Sequence, residues 1–327
     1  TTTHLTPNAV VNLTDAVEVS TGELHACARR ASGSVVCWGR GNAGQLGDGN
    51  TAVSAASPVE VSNLTDAVEI AAGSSHTCAR RASGSVACWG ANAGGQLGDG
   101  TTIDHVIPEP VTGLTDAVQI AARRSSTCAT RATGQVVCWG VNTNGQLGDG
   151  TTTDRSTPTP IPDLTNVQEV RVGYNHACAR IDTGALRCWG SNSSGQLGDG
   201  TQTSSLVPVA ANISDVARVV VGNSSTCVVT SAGTPFCWGT GTGVGDGVFG
   251  PRLDPVATPG LTDVVQLAAG NLVSCALRSS GEVWCWGNNR DGALGDGTTA
   301  ARWTPGPVIG LPGSPVDMPD GGVDGGQ

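Results

Sequence analysis

The chain contains no lysine, and all 17 of its basic residues are arginines. This absence excludes Schiff-base chemistry and phosphate binding by a P-loop, because both depend on a lysine side chain. Aromatic residues make up only 3% of the sequence, and no apolar run approaches the roughly 20 residues that a membrane span requires. The formal net charge is −10, so the field of the protein would repel the phosphates of nucleic acids. We therefore expect no nucleic-acid partner and no membrane span.

Glycine is abundant by contrast, at 48 of 327 residues, and it accompanies an internal repeat. The tripeptide Cys-Trp-Gly occurs six times, at intervals of 48 to 51 residues. A repeat of this length is too small to bury its own apolar face, so the copies must pack on one another within one domain. The six copies begin at Cys37, Cys88, Cys138, Cys188, Cys237 and Cys285.

The twelve cysteines form six pairs, each with a spacing of ten residues. A zinc site usually combines closely spaced ligand pairs, which these cysteines lack, so we expect disulfides, no metal and no cofactor. Reduced cysteines packed as small hydrophobic residues are the alternative. Six disulfides indicate an oxidising location, which is the periplasm, the cell surface or the outside of the cell. The predicted pairs are Cys27–Cys37, Cys78–Cys88, Cys128–Cys138, Cys178–Cys188, Cys227–Cys237 and Cys275–Cys285.

The segment between two paired cysteines predicts a β-hairpin. In the second repeat the loop is Ala82-Ser83-Gly84, whose glycine suits a left-handed position. Counting outward from this loop pairs Arg80 with Val86 and Cys78 with Cys88. The cysteines then form a non-hydrogen-bonded pair with Cα atoms about 4.5 Å apart, which a disulfide tolerates.

The rest of the repeat predicts two further strands. Residues 67–73 form a short apolar strand before the hairpin strands 76–81 and 85–89, and a proline-bearing edge strand follows at 107–114. Four short strands are the content of a propeller blade, so we predict an all-β propeller of six repeat units. The domain spans residues 1–311, with units at about 5–57, 58–107, 108–157, 158–207, 208–254 and 255–311, and a Pro/Gly/Asp-rich flexible tail or linker follows at 312–327.

The motifs of the repeat resemble those of a known family. Gly-x-x-His-Thr-Cys-Ala, Gly-x-Val-x-Cys-Trp-Gly, Asn-x-x-Gly-Gln-Leu-Gly-Asp-Gly and Pro-x-x-Val follow in the order of the regulator of chromosome condensation repeat, over about residues 5–311. The resemblance implies a β-propeller, commonly of seven blades, in proteins that act mainly through protein contacts. Ran nucleotide exchange is a nuclear activity, so an acidic chain with disulfides is not expected to have a Ran-type GTPase as its partner. The chain looks more like the bacterial exported members, which include a β-lactamase inhibitory protein.

Departures from the repeat identify candidate partner-binding residues, because residues whose only role is to form the fold are found in every unit. Aromatic residues and arginine dominate interface energies, so we expect a contact patch in the loops of the fifth and sixth units. Coverage of blade edges by the aromatic side chains is the alternative interpretation. The candidate residues are Phe249, Arg252, Arg302 and Trp303, with His105 and Arg155 in the corresponding loops of other units.

Two sets of recurring polar residues are predicted to be structural. His25, His76 and His176 occupy equivalent positions two residues before the first cysteine, and we expect hydrogen bonding rather than metal binding there. An aspartate recurs in the Gly-Asp-Gly turn of every unit, as in Asp149. One aspartate per turn falls short of the six to eight oxygens that calcium usually takes, so we expect these residues to cap the turn.

The edge segment occurs seven times against six hairpins, which leaves one surplus strand. Either one end is displaced, a partner supplies or accepts the spare strand, or the chain is part of a longer array. We hypothesise that this strand pairs with another subunit by β-augmentation. Its candidate residues are Pro7, Val10 and Leu13 near the start and Pro305, Val308 and Leu311 near the end.

Two functions fit these observations. The first is an extracellular, non-catalytic protein-binding propeller, either a recognition module or an inhibitor, that uses its inter-strand loops. The second is a structural subunit of an extracellular or cell-surface assembly or filament, in which copies of the chain exchange the surplus edge strand. An enzyme is the remaining alternative, because propellers also host lyases and glycosidases whose carboxylates resemble ordinary turn aspartates.

Overall fold

Each repeat forms one antiparallel four-stranded blade, which confirms the predicted all-β propeller of six units. The computed structural model describes residues 4–51, 53–240 and 243–311, and in every blade the strands are hydrogen-bonded in sequence order. Blades 1 to 3 comprise β1 (Ala16–Thr21), β2 (His25–Arg30), β3 (Val35–Arg40), β4 (Ser54–Glu60), β5 (Ala67–Ala72), β6 (His76–Arg81), β7 (Val86–Gly90), β8 (His105–Pro110), β9 (Ala117–Arg123), β10 (Ser126–Arg131), β11 (Val136–Gly140) and β12 (Arg155–Pro160).

Blades 4 to 6 repeat the same arrangement, and the strands at the start of consecutive blades pack against one another near the axis. Among the described residues there is no helix long and apolar enough to cross a membrane. The strands are β13 (Val167–Val172), β14 (His176–Ile181), β15 (Leu186–Gly190), β16 (Ser205–Ala210), β17 (Val216–Val221), β18 (Ser225–Thr230), β19 (Pro235–Gly239), β20 (Arg252–Ala257), β21 (Val264–Ala269), β22 (Val273–Arg278), β23 (Val283–Gly287) and β24 (Arg302–Pro307).

The proline-bearing strand is the last strand of its own blade. In the second blade this strand, β8, begins and ends a few residues earlier than the predicted 107–114. Gly113 follows it in a left-handed conformation, with φ of 70°, and turns the chain toward the next blade. The units proposed from sequence therefore differ in phase from the blades, because each unit begins near the last strand of the preceding blade. The predicted tail at 312–327 lies outside the described residues.

The middle two strands of every blade form the predicted disulfide-bonded hairpin. Cys78 faces Cys88 and Arg80 faces Val86, with Gly84 in the left-handed conformation at a φ of 86°. The Cα atoms of the paired cysteines are 4.0 to 4.1 Å apart in all six hairpins. All six predicted pairings are therefore confirmed, and the described chain has no free cysteine.

The hydrophobic core lies between blades rather than within them. Five clusters each combine residues of two consecutive blades, as where Ile161 of blade 3 packs with Val170 and Trp189 of blade 4. The sixth cluster contains residues of blade 6 and the segment after it alone. Five interfaces thus hold six blades, and blades 1 and 6 do not pack their described strands together.

The open side between blade 6 and blade 1 is called the seam below. Val19 in β1 is 58% exposed, whereas Val170, at the same position of blade 4, is fully buried. On the other wall, Val273 and Val283 of blade 6 are only half-buried. The inner strand of blade 1 therefore presents to the seam the apolar face that other blades bury.

Candidate functional site

Four of the six candidate partner-binding residues contact an aspartate of their own blade: Arg155, Arg252 and Arg302 form ion pairs, and His105 forms a hydrogen bond. Each is the first residue of the outermost strand and lies next to the aspartate of the Gly-Asp-Gly turn. The shortest nitrogen-to-oxygen distances are 2.8 Å for His105–Asp99, 2.7 Å for Arg155–Asp149, 2.6 Å for Arg252–Asp246 and 3.4 Å for Arg302–Asp296. These pairs fix the start of the strand, and contact with a partner by the four basic residues stays a prediction.

The turn aspartates act as caps, as expected. Asp149 accepts hydrogen bonds from the Thr151 amide at 3.0 Å and from the Asn142 side chain at 3.1 Å. Burial alone would raise the pKa of Asp149, but hydrogen bonds from Thr151 and Arg155 outweigh it and lower the pKa. No cluster of three or more histidine, cysteine, aspartate or glutamate residues suited to a metal ion occurs among the described residues.

The remaining two candidates, Phe249 and Trp303, meet at the rim between blades 5 and 6. Their ring centroids are 4.9 Å apart in an edge-to-face arrangement, with an angle of 62° between the ring planes. Phe249 is 71% exposed and Val248 beside it is 56% exposed, whereas Trp303 is half-buried. We call Val248, Phe249 and Trp303 the aromatic patch. The structure therefore brings together aromatic residues that are 54 positions apart in the sequence.

The surplus segment at the start of the described chain lies on blade 6. The Gly297 amide donates to the Leu5 carbonyl at 3.2 Å, as the Gly150 amide donates to the Leu206 carbonyl of the next blade at 3.0 Å. Leu5 thus occupies the place that the outermost strand of a following blade takes elsewhere. Of the other strand-exchange candidates, Pro7 and Val10 are exposed and Val308 is buried. The remaining three are half-buried, and they are Leu13, Pro305 and Leu311.

Consecutive blades are linked by a hydrogen bond from a tryptophan of the later blade to a carbonyl of the earlier one, which we call the tryptophan joint. The indole of Trp139 donates to the Gln96 carbonyl of the preceding blade at 2.9 Å, and Trp89, Trp189, Trp238 and Trp286 make the equivalent bond. Trp38 faces the seam, is half-buried, and has no such acceptor among the described residues. The seam thus lacks the tryptophan joint that the other five interfaces share.

The three equivalent histidines are structural, as predicted. The Nε2 atoms of His25, His76 and His176 lie 2.9 Å from threonine hydroxyls of the next blade, which are Thr77, Thr127 and Thr226. Burial lowers the pKa of His25 to about 4 and those of His76 and His176 to about 3. The imidazoles are therefore neutral at pH 7.

A cavity of about 480 Å³ lies at the axis, on the side where the first strand of each blade turns into the second. In five blades this turn begins with glycine, but in blade 3 the residue is Arg123, at the end of β9. The cavity is lined by residues of all six blades, among them Thr21, Glu23, Ser74, Arg123, Tyr174 and Asn271. We call it the axial cavity.

Arg123 reaches across the axial cavity from blade 3. Its Nη2 donates to Asn223 Oδ1 of blade 5 at 2.8 Å, and its Nη1 donates to the Ala269 carbonyl of blade 6 at 3.4 Å. Burial lowers the pKa of Arg123, and the negative charge of Glu23 opposes this. Arginine side chains stay protonated in proteins, so the guanidinium is a cation at neutral pH.

The neighbouring Arg124 is held by blade 4. Its backbone has a φ of 50°, its side chain donates to Asn175, and its guanidinium carbon lies 4.1 Å from the centre of the Tyr174 ring. No residue of this site was predicted from the sequence, although the sequence carries a signal for it. Arg123 replaces the glycine that the other repeats have at this turn.

The sequence matches the Regulator of chromosome condensation (RCC1) repeat over residues 32–80, 83–130, 133–180, 183–229 and 280–320, which is more than half of the chain. Among solved structures, human WBSCR16 superposes with a TM-score of 0.86 at 24% identity, covering 96% of this chain and 87% of that one. Yeast RCC1 (Prp20), in a complex with Kap60, gives a TM-score of 0.80 at 21% identity, covering 91% and 75%.

Similar curated proteins match over single stretches. The probable E3 ubiquitin-protein ligase HERC3 of Homo sapiens is 42% identical over 84 residues, which are 25% of this chain and 8% of that protein. The human HERC6 ligase is 36% identical over 96 residues, which are 28% of this chain and 9% of that protein. The matched stretches thus cover under a tenth of the length of each of these proteins. The repeat matches and the propeller fold together show that the chain belongs to the RCC1 repeat family.

Proposed function

We propose that this chain is an extracellular, non-catalytic propeller that binds another protein through the loops between its strands. The observation that carries the proposal is the aromatic patch. Only 3% of the residues are aromatic, yet Phe249 is left largely in solvent on top of Trp303. Aromatic residues are enriched at protein interfaces, and tryptophan is among the residues that provide most of the binding energy there.

The extracellular location is supported by the six disulfides, which persist in oxidising environments. Use of the propeller for protein binding is supported by yeast RCC1 (Prp20), which has the same fold and is bound to Kap60. The non-catalytic assignment is supported by the turn aspartates, because Asp149, Asp246 and Asp296 form ion pairs within their blades and Asp99 is hydrogen-bonded to His105.

The test is a binding assay with extracellular proteins of the source organism displayed one by one. For any protein that binds, Phe249→Ala combined with Trp303→Ala should weaken binding by about tenfold or more, as loss of an aromatic hot spot does. Val53→Ala is the matched control, because Val53 is 79% exposed in the corresponding loop of blade 1. Binding that survives the double substitution would remove the aromatic patch from the interface.

A second candidate function is a structural subunit of an extracellular assembly. The observation that favours it is the seam, with its exposed apolar strand β1, next to the surplus segment on blade 6. Exchange of that segment between copies would join propellers. Electron microscopy and non-reducing mass measurement should then show oligomers or fibres that disappear on deletion of residues 1–13, and a concentration-independent monomer would refute this role.

A further inference from the structure

We propose that the axial cavity is a binding site for a monoanionic carboxylate, which forms an ion pair with the Arg123 guanidinium. The site goes beyond the proposed use of the aromatic patch, because it lies at the axis and the patch lies on the rim. Its ligand is a small organic acid or the terminal carboxylate of a peptide, which share one anionic group.

The first argument is the unused hydrogen-bonding capacity of Arg123. A guanidinium has five N–H donors in a planar fork, and the described contacts of Arg123 use two of its nitrogens on neutral oxygens of Asn223 and Ala269. Within the described residues no carboxylate lies at ion-pair distance, although Arg131 of the same blade pairs with Asp116 at 2.9 Å. A partly buried cation without a counterion is costly, so an anion that enters the cavity is favoured.

The second argument is the charge balance of the axial cavity. Arg123 and Arg124 contribute two positive charges to its wall, and Glu23 contributes one negative charge. The net charge of +1 is neutralised by a singly charged anion, whereas a phosphate dianion would leave one uncompensated negative charge in the cavity and costs more to desolvate. The stacking of Arg124 on Tyr174 keeps the second cation at the wall of the cavity.

The third argument is the size and lining of the axial cavity. A volume of about 480 Å³ falls within the range of small-molecule sites. Besides Arg123, the wall contains the Tyr174 ring and the apolar side chains of Ala72, Ala268 and Val273, which suit a short apolar body behind the carboxylate. Val273 also borders the seam, so the seam and the axial cavity are adjacent.

The experiment measures binding by calorimetry at low ionic strength with four probes. They are isobutyrate, N-acetyl-alanyl-alanine with a free carboxylate, the C-terminal amide of the same peptide, and inorganic phosphate. Both carboxylates should bind, the amide should not, and phosphate should bind more weakly. A dipeptide affinity at least about tenfold above that of isobutyrate would identify a peptide terminus as the source, whereas equal affinities would identify a free acid.

Substitutions separate this site from a purely structural role of Arg123. Arg123→Gln should weaken carboxylate binding by about tenfold or more, whereas the control Arg131→Gln should leave it unchanged. Glu23→Gln should tighten binding, because it removes the opposing charge, and a structural strut would not produce that result. Thermal melting confirms that each variant is folded, and if Arg123→Gln does not fold, Arg123→Lys is measured instead and should bind several-fold more weakly.

The proposal is overturned if neither carboxylate binds in the millimolar range. It is also overturned if the amide binds as well as the free acid, or if a folded Arg123→Gln protein binds like the original. Tighter binding of phosphate than of both carboxylates would contradict the charge argument.

Discussion

The buried histidines make the stability of the protein depend on pH. The pKa values of His25, His76 and His176 are about 4, 3 and 3 in the folded state, because burial disfavours the charged imidazole, against about 6.5 in an unfolded chain. Between these values the unfolded state binds more protons, so stability is present above pH 6.5 and is lost as the pH falls toward 4. Burial raises the pKa of Glu69, and this carboxyl contributes in the opposite sense.

We therefore expect the free energy of unfolding to decrease from pH 7 to pH 4.5, by up to about 1.4 kcal/mol per pH unit for each histidine. Urea unfolding at several pH values measures this slope. His76→Gln should flatten the slope, whereas His4→Gln, at an exposed position, should not change it. An equal slope in all three proteins would contradict the assignment.

The tryptophan joint allows a second test at the residue scale. Trp139→Phe removes the indole that donates to the Gln96 carbonyl, which then keeps the Thr127 hydroxyl as its donor, so the loss should be that of one hydrogen bond, about 0.5 to 1.5 kcal/mol. Trp38→Phe is the matched control, because Trp38 faces the seam and has no described acceptor there. Denaturant unfolding should show the larger loss for Trp139→Phe, and similar losses would mean that the hydrogen bond contributes little.

At the scale of the element, the stapled hairpin is the unit that repeats most regularly. A disulfide that closes a loop of about eleven residues stabilises the fold by about 2.5 to 3 kcal/mol, because it restricts the unfolded chain. Replacement of Cys78 and Cys88 together by alanine should lower the free energy of unfolding by at least about this amount, measured in urea without reductant. The pair Cys275 and Cys285 closes a loop of the same length and should give a similar loss.

A much smaller loss of unfolding free energy for the Cys275–Cys285 pair would indicate that the burial of a disulfide, and not the length of the loop it closes, determines how much it stabilises the fold. Cys78 and Cys88 are fully buried between two blades, whereas Cys275 is half-buried beside the seam.

At the scale of the whole molecule, stability should vary around the ring. Blades 3 and 4 are packed on both sides, but blades 1 and 6 are each packed on one side. In a repeat protein each unit is stabilised by its neighbours, so the terminal units open first. Hydrogen exchange followed by mass spectrometry should show faster exchange in β1 and β22 than in β9 and β14, and uniform exchange would mean that the seam is closed in solution.

The repeat made the blades predictable from sequence. The spacing of Gly84 from Cys78 and Cys88 fixes the hairpin register, because side-chain pairing counts outward from a turn of known length. The disulfides and the strand content followed from that register. The ends of the outer strand β8 were less well predicted, because the turn at Gly113 determines where the hydrogen bonds between β7 and β8 stop.

The candidate site was only partly accessible from sequence. Phe249 and Trp303 were singled out as departures from the repeat, and the fold brings them into contact. The ion pairs of Arg155 and Arg252 with turn aspartates were not anticipated, because they depend on how a loop folds back on its own strand.

The six blades, their disulfide-bonded hairpins and the family of the protein could be predicted from the sequence, because these depend on local spacing within one repeat. How the blades meet could not be predicted without the folded structure. Residues a hundred or more positions apart converge at the axis, where Arg123 of blade 3 bonds to Asn223 and Ala269. The same radial packing leaves blades 1 and 6 each without one neighbour, and no single repeat encodes that, because an interface between blades needs both of its walls.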